Sequence, residues 1–101
     1  MSDDLIAALE HEWDLGQGFL GKLRQGLFDP VGLERLIRLL DRIDFGDAVE
    51  VNRRLISLLW FIPLFMEWQR ERVHAPDADP QTVSDAADRV ENAIERILGL
   101  P

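Results

Sequence analysis

Leu55-Ile-Ser-Leu-Leu-Trp60-Phe-Ile-Pro63-Leu-Phe-Met66 is the longest apolar run in the chain, 12 residues interrupted by Ser57 and Pro63. A membrane-spanning helix needs about 20 apolar residues, and Arg53, Arg54 and Glu67 bracket this run on both sides. It therefore reads as a buried helix of a globular core. The helical pattern extends outward in both directions and predicts a helix over about 48–73. Asp44-Phe45-Gly46-Asp47 is the turn before it, with Asp47 as its N-cap. Proline inside a helix removes a backbone hydrogen bond and bends the axis. The apolar pattern stays in phase after Pro63 through Phe65, Met66 and Val73, which predicts a kink without termination. The wide apolar arc marks this as the central helix of the domain.

Three more helices flank it. Asp29-Pro30 is an N-cap followed by proline at the first helical position. Leu33, Leu36, Ile37, Leu40 and Ile43 then form one stripe, predicting a helix over 30–43 with Arg35, Arg38 and Arg42 on the opposite face. Asp79-Pro80 repeats the start signal after the loop from His74. Val83, Ala86, Ala87, Val90, Ile94, Ile97 and Leu98 share a face up to Gly99, predicting a helix over 80–98. At the N-terminus Ser2 is a good cap, and Asp3 and Asp4 favour a first helical turn. Leu5, Leu9, Trp13, Gly16, Leu20 and Leu23 keep one phase, so a single helix over 3–25 is expected despite its glycines. Gly16 is then the point where another helix approaches closely, and Gly26 the C′ residue. No segment alternates like a strand. The fold class is all-α: a four-helix bundle, with residues 1–101 as one domain.

The 101 residues are 47% apolar and 30% charged, with a net charge of −8. That apolar share is too high for a disordered chain. The absence of cysteine excludes disulfides, thiolate metal sites and cysteine nucleophiles. Surplus negative charge repels DNA and anionic membranes, so neither direct nucleic-acid binding nor membrane association is expected. Met1-Ser2-Asp3-Asp4 lacks the basic region and apolar run of a secretory signal, and the expected location is cytoplasmic.

Little in the chain points to chemistry. Gly16-Gln17-Gly18-Phe19-Leu20-Gly21 matches G-x-G-x-x-G, but no strand precedes it and no parallel sheet is available to make it a dinucleotide site. His11 and His74 are the only histidines. Asp14 shares a helix side with His11, two ligands at most, and no metal or cofactor is expected. The acids fall mainly on polar faces, and Glu67 and Glu71 neighbour Arg70 and Arg72. No nucleophile arrangement or phosphate-binding loop is present, so the chain is not expected to be an enzyme.

Charge placement is more informative. Residues 1–29 hold six acids and two bases, a balance of −4. Residues 30–74 hold seven of each, and residues 75–101 again hold six acids and two bases. Asp85, Asp88, Glu91 and Glu95 occupy one polar arc of the last helix. Glu10, Glu12 and Asp14 add to the first. Were these two helices neighbours, their outer faces would form one acidic surface able to steer a basic partner; ordinary solubilising charge is the plainer alternative. In the 48–73 helix, Trp60 and Leu64 project along the polar direction set by Glu50, Arg53, Ser57, Glu67 and Glu71. Either the first helix covers them, or they anchor an interface that Trp68 extends. A homodimer would use the same feature.

Four helices with Asp85, Asp88, Glu91 and Glu95 on the last resemble the layout of small acidic bacterial immunity proteins, some of which are helical. The chain has no tyrosine, so it departs from the two-tyrosine motif of the helical nuclease-colicin immunity proteins. The resemblance implies a small inhibitor that binds and neutralises a basic toxin or nuclease by surface complementarity, without cofactor or catalysis. The competing expectation is a homo-oligomeric structural or adaptor module dimerising through the third predicted helix. A nucleic-acid mimic and a small helical enzyme rank below these.

Overall fold

A computed structural model describes residues 3–47, 50–73 and 79–99. All regular structure among them is helical: α1 (Asp3–His11), α2 (Phe19–Arg24), α3 (Pro30–Asp41), α4 (Arg53–Gln69) and α5 (Pro80–Leu98), with a 3-10 turn at Arg70–Arg72. The expected cap at Ser2, the helix start at Ala48, and His74 with the loop to Ala78 lie outside the described residues.

The local start signals place α3 and α5 where the sequence puts them. Asp79 accepts from the Thr82 backbone N–H at 2.8 Å, while the Thr82 hydroxyl faces the Asp79 backbone N–H, a reciprocal capping box. Gly99 ends α5 at φ 81°, a backbone angle that suits glycine. α3 begins at Pro30 behind Asp29 and ends at Asp41, two residues before the expected Ile43, which is still buried.

Two predicted helices need correction. The helix expected over 3–25 is two helices separated by a turn over residues 12–18. Residues on one face need not be joined by continuous helix, and here the turn happens to preserve the phase of Leu5, Leu9, Leu20 and Leu23, all buried. Gly16 is exposed in that turn, so it is not the close-approach glycine. Gly26 is the C′ residue as expected. Its N–H donates to the Leu23 carbonyl and the Leu27 N–H to the Lys22 carbonyl, a Schellman closure of α2. The helix expected over 48–73 begins at Arg53, because Asn52 rather than Asp47 accepts from the third following N–H, that of Leu55. It runs unbroken through Pro63 and tightens into the 3-10 turn after Gln69.

α1 and α2 each pack against α3 and α4, and α5 packs against the same two. No Cα of α3 comes within 8 Å of one in α4, and none of α1 or α2 comes within 8 Å of one in α5, so these pairs meet at most through side chains. α4 meets three of the other four helices, and its packing with α5 is the most extensive in the molecule. It buries Leu55, Leu59, Ile62 and Met66 against one shared core, with Leu9, Leu23, Leu36, Leu40, Val83 and Val90 from the other helices. Its opposite face, with Trp60, Leu64 and Trp68, is exposed among the described residues.

Candidate functional site: an aromatic ridge and an acidic helix face

The G-x-G-x-x-G match has a structural explanation. A helix does start there, but its N-terminal donors are satisfied within the chain. The Glu12 carboxylate accepts from the Phe19 N–H at 3.0 Å, and the Glu12 carbonyl accepts from Leu20 and Gly21 at 2.8 and 3.1 Å. Side chains at Gly18 or Gly21 would overlap the backbone of Glu12 and Asp14 respectively, so those two glycines permit the close approach. Arg35 closes the arrangement with a two-pronged pair, Nε and Nη2 donating to the two Glu12 carboxylate oxygens at 2.8 and 2.9 Å. That hydrogen bonding raises the Arg35 pKa above its ordinary value.

Glu12 is thus only 2% exposed and fully engaged, and it presents nothing to a partner. Glu10 pairs with Arg54 at 2.9 Å. Asp14 accepts from the Gly16 and Gln17 N–H groups and shapes the turn. Since no Cα of α1 comes within 8 Å of one in α5, the acids of the first predicted helix do not join those of the last. The joint acidic surface is not formed.

The acids of α5 behave differently. Asp85, Asp88, Glu91 and Glu95 are all exposed. Asp85 accepts from Gln81 at 2.8 Å, and none of the four forms an ion pair among the described residues. The two arginines of α5 reach α3 instead: Arg89 pairs with Glu34 and Arg96 with Asp41. The Arg89 hydrogen bond holds the Glu34 carboxyl below its ordinary pKa. Arginine on α5 neutralises acid on α3, and the acidic stripe of α5 keeps its charge.

The outer face of α4 carries the aromatic ridge. Trp60 is 56% exposed, Trp68 58% and Leu64 40%; α1 does not cover them. Phe61 is the hub. Trp60 and Trp68 each meet it edge-on at 5.5 Å between centroids, and Trp13 stacks on it at 6.1 Å. Trp13 also meets Phe65 edge-on at 4.8 Å. These contacts fix the exposed indoles on a packed base, so little side-chain freedom remains to be lost on docking.

Between α4 and α5 runs a groove with a floor of Pro63, Leu64, Ile94 and Leu98, Trp60 along one side, and Glu67, Glu91 and Glu95 at its edges. It joins both expected clusters, the Trp60–Leu64 pair and part of the α5 acids. Leu98 was expected in the core stripe but is 42% exposed and belongs to this groove. Phe61, Pro63, Ile94 and Glu67 were not foreseen as site residues. Phe61 had a signal in its adjacency to Trp60. The others depend on how α4 meets α5, which no local pattern reveals. The expected basic ridge is divided: Arg35 is committed to Glu12, while Arg38 and Arg42 remain exposed.

No three His, Asp or Glu side chains gather for a metal ion among the described residues, and no described helix is long and apolar enough to cross a membrane. No family model, curated protein or solved structure matches this chain.

Proposed function

We propose that this chain is a small acidic binding protein, an immunity-type inhibitor that occupies the surface of a basic toxin or nuclease in the cytoplasm and acts by occupancy without catalysis. The observation that carries it is the groove where Trp60, Leu64 and Leu98 stand exposed beside Glu67, Glu91 and Glu95. Tryptophan ringed by polar groups is a frequent binding anchor. Glu67 pairs with Arg70 at 3.4 Å, whereas the carboxylates of Glu91 and Glu95, without an ion pair among the described residues, speed encounter with a cationic surface and disfavour anionic ones. The partner that fits presents an apolar side chain flanked by lysine or arginine.

Affinity capture from the native cell with three baits tests this: the natural chain, Trp60→Ala, and the triple variant Asp88→Lys, Glu91→Lys, Glu95→Lys. A basic protein retained by the first and lost from both variants is the expected result. Equal retention by the triple variant excludes the electrostatic mode. The second reading, a homodimer through α4, is favoured by Trp60, Leu64 and Trp68 lying exposed on one helix. Sedimentation at micromolar concentration separates the two, because a dimer that Trp60→Ala dissolves would commit this face to a second copy.

A further inference from the structure

Trp60 also borders a second depression, on the side of α4 that faces α1 and α2. This cleft has a volume of about 550 Å³, within the range of small-ligand sites. Its apolar walls are Trp13, Leu58, Trp60 and Phe61. Its charged lining is two arginines against one glutamate, a local excess of +1 in a chain of −8. Glu10 is neutralised by Arg54 at 2.9 Å. The remaining charge is Arg24, whose guanidinium carbon sits 5.8 Å from the Trp13 ring centroid and 5.3 Å from that of Phe65. Arg24 has no carboxylate partner among the described residues; aromatic faces hold it in place.

Each of these features restricts the occupant. Three aromatic walls favour a flat apolar body. A guanidinium held on rings keeps its planar donor fork free for a carboxylate, which it binds in two-pronged fashion. A single uncompensated cation balances one negative charge, and the field of the whole chain repels polyanions such as nucleotides. We propose that the cleft binds a flat aromatic monocarboxylate, its ring against Trp13, Trp60 and Phe61 and its carboxylate on Arg24. This site shares Trp60 with the groove between α4 and α5 but no other lining residue, and it does not depend on the proposed inhibitor role.

Three tryptophans give three indole N–H signals, so the nitrogen-15-labelled full chain can be titrated directly with sodium 2-naphthoate and with its neutral counterpart 2-naphthamide. The acid is expected to shift the Trp13 and Trp60 signals saturably and the Trp68 signal least. The amide is expected to bind about ten-fold more weakly, one charged hydrogen-bond pair's worth. Arg24→Gln should reduce naphthoate to the affinity of the amide while keeping the helical circular dichroism, since Arg24 is exposed and unpaired. Equal affinity for acid and amide overturns the proposal, as does undiminished naphthoate binding in a folded Arg24→Gln variant. Shifts confined to Trp68, or a titration that never saturates, also overturn it. If Arg24→Gln does not fold, the acid–amide comparison on the natural chain decides alone.

Discussion

At residues 12–21 the Glu12 carboxylate turns inward, meets a helix start and an arginine, and is itself withdrawn from solvent. Along α5, carboxylates of the same type turn outward with no cation opposite and beside indoles left exposed, among the described residues. The difference lies in backbone supply. Gly18 and Gly21 let the chain fold close enough for the Glu12 side chain and carbonyl to reach three N–H groups. On α5 the helix satisfies its own backbone, and its arginines reach across to α3. Charge in the first region serves folding, and charge in the second is left for association.

Substitution can break this contrast, most severely at the glycines. Gly21→Ala drives a methyl into the Asp14 backbone and is expected to cost about 3 kcal/mol, read as a lowered urea midpoint. Arg35→Leu strands the buried Glu12 carboxylate. Arg35 is itself partly solvated, so the expected loss lies near the lower end for a broken buried pair, about 2–3 kcal/mol. If Arg35→Leu melts like the natural chain, the inward carboxylate is not structural. On the other face the same measurement should barely move. Reversing Asp88, Glu91 and Glu95 to lysine is expected to change stability by no more than about 0.5 kcal/mol, while slowing association with a basic partner most at low salt. A large stability change there would mean that those acids serve the fold after all.

The smallest effect concerns pH. The Asp29 carboxyl is held below its ordinary value of 3.8 chiefly by the Lys22 hydrogen bond. Asp79 is lowered likewise by the Thr82 backbone N–H, and Glu34 from 4.5 by Arg89. Each binds its proton less readily folded than unfolded, so its stabilisation is complete above the ordinary value and lost as pH falls through the lowered one. A thermal midpoint flat from pH 7 to about 5 and falling below about 4.5 is expected. Asp79→Asn and Glu34→Gln should flatten that fall.

How much was legible from the sequence follows how local each determinant is. α5 could be read nearly to the residue because Asp79, Pro80, Thr82 and Gly99 are all within a turn of its ends. The placing of Trp60 and Leu64 on the polar side of α4 was legible, since helical phase sets it; whether α1 covered them there was not, because that depends on how the two helices meet. For the break in the N-terminal helix Gly16 and Gly18 marked the weak point, but the hydrophobic phase ran through them. The pairing of Glu12 with Arg35, 23 positions along the chain, is a distance that no periodicity encodes. The start of α4 was misplaced for a nearer reason: Asp47 and Asn52 are both competent caps, and the pattern does not choose between them. The groove beside Leu98 was hidden because its shape belongs to two helices jointly. So was the separation of α1 from α5, which denied the first three acids a place on the second acidic face.

The Glu12 knot also bears on how the N-terminal quarter holds together. α1 has nine residues and α2 six, each below the length of about 12 at which an isolated helix is even marginal in water. One side chain rivets the end of the first to the start of the second and, through Arg35, to α3. Fraying of one short helix loosens the other, so residues 3–24 are expected to open together with α3 and to show shared protection in hydrogen exchange.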